Sequence, residues 1–200
     1  IAFVTKRGES SFQSASGVNA FTMEPYFVER ADWRFVAATL ESAFAEKMKF
    51  ERAWIVRACK GARSLADVRK NAAELADRSQ RSMDKDIYML LGEYLDEVLP
   101  DIEALPATAS KFLVKGRGVN VMNLVDWRPK MQTLFIASTL SKVAKDQENT
   151  VVIVPESWET LPERRNTPVK EPAVQIARKG AAVGNYLWLD AQDIAGVSKE

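Results

Sequence analysis

The sequence predicts an α/β protein, with a mostly parallel sheet flanked by helices and a helical subdomain inserted into it. Three observations carry this. Two short apolar runs, Val151 to Val154 and Tyr186 to Leu189, each stop abruptly at polar turn residues, and a stretch with helical spacing, Lys170 to Gly180, lies between them. Strand, helix, strand in that order is a βαβ unit, which brings whatever follows each strand to one edge of a parallel sheet. Upstream, Val119 to Leu124 alternates as a strand and is followed by helical spacing through Met131, Leu134, Phe135, Thr139 and Val143, so the alternation continues from 119 onward. Between Arg30 and Leu105 the period is largely helical, which places an insertion inside the sheet-forming chain.

Composition narrows the classes. Two hundred residues at 46% apolar content suffice for one compact core with a smaller appended lobe. The balance of 28 basic against 27 acidic residues gives no bulk attraction to nucleic acid or membrane. No run reaches the ~18 apolar residues of a membrane span, and the first residues lack the pattern of a secretory signal. The single cysteine, Cys59, excludes an internal disulfide and fits a reducing, cytoplasmic compartment. Histidine is absent, which rules out His-based metal sites, triads and proton shuttles. The missing initiator Met leads us to expect a longer chain.

Taken in order, Ile1 to Val4 suits an early buried strand leading into the polar turn Thr5-Lys6-Arg7-Gly8-Glu9, and Gly17 to Met23 a second strand stopped by Glu24-Pro25. From Arg30, Trp33, Val36, Ala37, Leu40, Phe44 and Met48 recur at helical spacing behind the acidic start Ala31-Asp32. Arg52 to Cys59 reads equally as a strand or a helical turn. Ser64 with Asp67 three residues on resembles a capping box opening a helix to about Ser79. A further amphipathic helix runs from about Ser82 through Ile87, Leu90, Leu91, Tyr94, Leu95, Val98 and Leu99, and is expected to end at Pro100. Leu105 to Thr108 reads as the linker back to the sheet, where Asp126 is the expected N-cap of the helix that has Pro129 in its first turn.

Charge in the helical part is sorted along the chain. Lys47 to Lys85 holds eleven basic residues against five acidic ones, whereas Asp86 to Glu103 holds six acidic and no basic ones. Oppositely charged helix faces packed side by side account for this, and so does a basic surface for a phosphate backbone.

The strand ends carry the chemistry. Many ATPases end an apolar strand in an acidic residue that polarises the attacking water, because a carboxylate at the sheet edge meets bound phosphates. Glu156 stands there, but Pro155 occupies the position that usually supplies the magnesium-binding Asp. Gln192, after the last strand, is placed to sense a γ-phosphate, and Arg178 to reach a phosphate on a neighbouring subunit. Each residue also has a plainer reading: a solvated or capping carboxylate after a strand, and a cation complementing a helix C-terminus.

Val-Val-Ile-Val-Pro-Glu-Ser-Trp, followed by Ile-Ala-Arg-Lys-Gly-Ala-Ala-Val-Gly-Asn-Tyr-Leu-Trp-Leu-Asp-Ala-Gln-Asp-Ile-Ala-Gly-Val-Ser-Lys, resembles the acidic strand, following helix and glutamine-bearing strand of HerA/FtsK-type ATPases. Val119 to Lys145 is similar to the strand and helix before the acidic strand in that group, so the resemblance covers Val119 to Glu200. It implies a RecA-like core that binds ATP with Mg, assembles as a ring, often hexameric, and moves or remodels DNA. It would make Glu156 the catalytic carboxylate, Gln192 the sensor and Arg178 a residue acting in trans. The chain departs from the group in having no Gly-x-x-x-x-Gly-Lys-Ser/Thr loop; the nearest stretch, from Ile1 to Phe12, has Ser11 where Lys should stand. The expectation is therefore either a motor whose phosphate loop precedes Ile1, or an ATPase-like interaction module without one. A small-molecule enzyme on a doubly wound sheet has only the fold class in its favour.

Overall fold

The computed structural model describes residues 1–8, 17–44, 52–162 and 167–190. In chain order the elements are β1 (Ala2–Val4), β2 (Ala20–Met23), α1 (Trp33–Phe44), α2 (Arg52–Ala58), α3 (Leu65–Arg78), α4 (Ser82–Glu103), β3 (Val119–Asn123), α5 (Pro129–Asp146), β4 (Val151–Val154), α6 (Ser157–Thr160), α7 (Lys170–Lys179) and β5 (Tyr186–Leu189). The five strands form one sheet in the order β2-β3-β1-β4-β5, and every neighbouring pair is parallel. The protein is thus an α/β protein with a parallel sheet flanked by helices.

The chain divides into two compact units, Ile1–Val28 with Pro106–Glu200, and Glu29–Leu105. In the sheet unit the central strands are buried, as parallel strands covered by helices must be: Ala2, Phe3, Val121, Met122 and Val152 are all at most 1% exposed. Helix α5 is apolar on most of its circumference, and Met131, Leu134, Phe135, Ile136, Leu140 and Val143 are all buried. It packs against α7. Edge strand β5 is different: Tyr186 is 56% and Trp188 65% exposed.

The polar residue Asn185 anchors the start of β5. Its side-chain amide donates to the carbonyls of Gln147 (2.7 Å) and Val143 (3.2 Å) at the end of α5, and its carbonyl accepts the Thr150 amide (3.1 Å) just before β4. A buried amide satisfied this fully fixes where β4 and β5 begin relative to each other. Gly180 allows the close turn beneath it, because a Cβ there would stand 2.5 Å from the Asn185 carbonyl oxygen.

The helical unit is built from α1 to α4 around Val36, Leu40, Ile55, Leu65, Val68, Leu91, Leu95 and Val98. The capping box at α3 forms: the Ser64 hydroxyl accepts the Asp67 amide (3.0 Å), and the Asp67 carboxylate accepts the Ser64 amide (3.1 Å). Asp32 caps α1 by accepting the Arg34 and Phe35 amides. Residues 52–58, readable either way in sequence, are helical, and bury Trp54, Ile55 and Ala58 at helical spacing.

Three expectations need correction. Helix α4 does not stop at Pro100 but continues to Glu103, because a proline in the last turn removes one backbone bond and the three residues after it still cap, with the Ala104 amide on the Pro100 carbonyl. The N-cap of α5 is Arg128, not Asp126, since Leu124 and Trp127 close a turn first and Pro129 then takes the first helical position. The strand expected over residues 17–23 begins only at Ala20, after Gly17 makes a turn at φ +80°.

Candidate functional site

Parallel strands present their C-terminal ends along one edge. The chain leaves β1 towards β2, on the far side of β3, but leaves β4 towards β5, on the opposite side. Adjacent strands whose continuations diverge leave a crevice between them, the place where open α/β sheets bind ligands. Lys6 follows β1 and Glu156 follows β4, so both stand at this point.

Local geometry explains why the Glu156 side chain turns into it. Pro155 ends β4 and one turn of helix begins at Ser157, so the chain must reverse within a single residue; Glu156 does this in the left-handed region, at φ +48° and ψ +43°. Such a conformation is uncommon for a residue with a Cβ and costs on the order of 1–3 kcal/mol. The turn is held by Ser157, whose amide (2.8 Å) and hydroxyl (3.0 Å) both donate to the Asp190 carbonyl. The Asp190 amide in turn donates to Val154 (3.1 Å), so the ends of β4 and β5 are stitched together.

The Glu156 carboxylate is engaged at both oxygens. Lys6 Nζ lies 2.8 Å from Oε1, and the Trp158 indole N–H donates to Oε2 at 2.6 Å. The hydrogen bond from Lys6 and then that from Trp158 hold its pKa below the usual glutamate range. Its side chain is 16% exposed and that of Lys6 is 50% exposed. A carboxylate held this way is a poor base until one partner leaves.

Gln132 supports the same edge from α5. Its amide nitrogen donates to the carbonyls of Leu124 (2.9 Å) and Trp127 (3.0 Å) and reaches that of Thr5 at 3.4 Å, joining the loops after β1 and β3. Sequence reasoning passed over Gln132 and Lys6. The only signal for Gln132 was a long polar side chain in the first turn of an otherwise apolar helix; for Lys6 it was a cation directly after a buried strand.

Arg178 lies elsewhere. It is exposed in the last turn of α7, which leads through residues 180–185 into the start of β5. That is the N-terminal edge of the sheet, so a strand length of about 10 Å or more separates it from the edge carrying Glu156. Gln192 lies outside the described residues, as does Ser11; the last described residue before Gln192 is Asp190, at the Glu156 edge.

Among the described residues no group of three or more Cys, Asp or Glu side chains could hold a metal, and Pro155 offers no side-chain ligand. Glu156, Lys6 and Trp158 supply one carboxylate, one ammonium and one indole, which by themselves fit neither a magnesium ion nor a triphosphate. Burial and then the nearby Asp32 charge raise the Cys59 pKa to about 11, which disfavours its thiolate.

In the helical unit the sorted charges are partly spent internally. Arg69 of α3 makes a bidentate pair with Asp96 of acidic α4, at 2.7 and 2.8 Å, Arg78 pairs with Glu74, and Arg52 stacks 4.0 Å from the Trp33 ring centre. Only the Arg69–Asp96 pair joins facing charges on two helices; Arg78–Glu74 lies within α3 and Arg52 rests on an aromatic face. A search of known protein families and of curated proteins found no match to this chain.

Proposed function

We propose that the chain is the ATPase core, or a large part of it, of a DNA-translocating or remodelling motor of the HerA/FtsK type. The observation that carries this reading is the position of Glu156: a carboxylate at the C-terminal end of an apolar parallel strand, at the point where the connections diverge, and next to the strand that continues towards Gln192. On this reading Glu156 orients and deprotonates the attacking water and Gln192 senses the γ-phosphate. Arg178, at the opposite edge, serves a neighbouring copy in a ring. The described residues provide no ligand set for magnesium, so none of these roles is assigned through the metal.

The test is ATP hydrolysis by the full-length protein. Replacing Glu156→Gln keeps the shape of the side chain and removes its basicity, and should lower turnover by about 10²-fold or more with nucleotide affinity retained, as expected for loss of a general base. Turnover equal to that of the unaltered protein would overturn the reading.

A second reading is a non-catalytic module with an ATPase-like fold that docks a partner. Pro155 in the place of a metal-binding carboxylate favours it, as does a Glu156 carboxylate already engaged by Lys6 and Trp158. It predicts that the full-length protein binds no ATP.

A further inference from the structure

We propose that the segment from Lys111 to Gly118 docks on the surface of an anionic lipid bilayer, with Leu113 and Val114 entering the acyl boundary and Lys111, Lys115 and Arg117 meeting the headgroups. This goes beyond the ATPase reading and does not depend on it.

The segment leads into β3, and its composition is one-sided. From Ala104 to Val125 the chain carries Lys111, Lys115 and Arg117 and no acidic residue. All three cations are exposed, and none makes an ion pair among the described residues. Between Lys111 and Lys115 stand Leu113, at 68% the most exposed large apolar residue among the described residues, and Val114 at 40%. A single exposed apolar side chain is ordinary. Here two adjoin, flanked on both sides by cations.

The backbone around them is fixed from several directions. The Ala109 carbonyl accepts the Phe27 amide at 2.9 Å, and the Phe112 ring stands edge-on to Tyr26 with centres 4.9 Å apart. The buried Asn120 side chain of β3 clamps Lys115: its carbonyl accepts the Lys115 amide at 2.8 Å, and its own amide donates to the Lys115 carbonyl at 2.9 Å. Gly118 passes so close to β2 that a Cβ would stand 2.5 Å from the Asn19 carbonyl oxygen. The one aromatic side chain of the segment is thus turned onto the protein, while its two aliphatic ones stay in water. A held segment that shows aliphatic carbon beside unpaired cations complements a surface that is negative outside and apolar within.

Other occupants fit less well. Single-stranded nucleic acid calls for free aromatic faces on which bases stack, but Phe112 packs on Tyr26 and the Lys115 ammonium lies 5.7 Å from the Phe21 ring centre. A protein interface makes directional hydrogen bonds of both kinds, yet residues 112–118 hold no Asp, Glu, Asn, Gln, Ser or Thr. A fluid anionic surface asks only for charge and apolar reach.

The test is co-sedimentation of the full-length protein with sucrose-loaded vesicles, made of phosphatidylcholine alone or of equal parts phosphatidylcholine and phosphatidylserine. Binding to the phosphatidylserine vesicles should be tighter by about 10-fold or more, since each cation at an anionic surface adds to the attraction, and should weaken with added salt. Lys111→Gln, Lys115→Gln and Arg117→Gln together should bring it down to the phosphatidylcholine level. Leu113→Ser with Val114→Ser should weaken it about 10-fold with every cation retained. Equal binding to the two vesicles, binding to neither, or phosphatidylserine binding left unchanged by either variant overturns the proposal. So does a triple variant that loses a single-stranded DNA oligonucleotide while its vesicle binding is unchanged, which assigns the cations to a phosphate backbone. Should the triple variant fail to fold, Arg117→Gln alone takes its place: a loss of about 5-fold is expected, and an unchanged affinity overturns the proposal.

Discussion

The helical unit and the sheet unit satisfy their polar groups over different distances along the chain. In the helical unit several caps are local, Asp32 serving Arg34 and Phe35 and Ser64 and Asp67 serving each other, while the Leu65 amide donates to Glu29 and Arg69 reaches Asp96 across one hairpin. In the sheet unit the decisive contacts are remote. Lys6 meets Glu156, Asn185 meets Val143, and Ser157 meets Asp190. The sheet unit is also the one that holds the two non-glycine residues with positive φ among the described residues, Asn149 before β4 and Glu156 after it.

The contrast can be broken by mutation. The largest loss of stability is expected from Phe135→Ala, which empties a fully buried ring site in α5 and should cost about 3–5 kcal/mol, read as a fall in the denaturation midpoint of the sheet unit. Asn185→Ala comes next. It leaves the Gln147 carbonyl and the Thr150 amide without this side chain, the Val143 carbonyl keeping the Gln147 amide, and should cost about 1–3 kcal/mol; a loss no larger than that at an exposed site would show that the start of β5 is fixed by other contacts. Ser64→Ala removes one local cap and should cost about 0.5–2 kcal/mol, with hydrogen exchange rising only in the first turn of α3 if the helical unit is as local as described.

Acid sharpens the comparison. Glu156, Asp67 and Asp96 all have pKa values lowered on folding, by Lys6 and Trp158, by the Arg63 and Ser64 amides and the Ser64 hydroxyl, and by Arg69 respectively. A carboxyl group with a depressed folded pKa stabilises the fold above its unfolded pKa, and that contribution is lost as pH falls through the folded value. Melting temperature should therefore fall as pH drops below the usual carboxylate range. Lys6→Gln should blunt only the part due to Glu156, whereas Arg69→Gln should blunt only the part due to Asp96.

Legibility in the sequence follows the same division. The strands at 151–154 and 186–189 could be read because apolar runs end at Pro155 and Asp190, and the α3 cap because its two residues are three apart. The parallel class followed from alternation alone. Helix α4 running past Pro100, the cap of α5 at Arg128 and the single turn of α6 depend on backbone bonds that residue types do not specify. Lys6, Gln132 and Asn185 were missed because each acts on partners brought near only by the sheet order, and the spacing that separates Arg178 from Glu156 exists only once that order is known.

The most direct measurement is the state of the nucleotide left on the full-length protein after a fixed incubation with ATP. Predicted for Glu156→Gln is bound nucleotide recovered as intact ATP, with product at about one hundredth of the unaltered protein's or less. ADP recovered in equal amounts from both proteins would contradict the assignment of Glu156 as the working carboxylate.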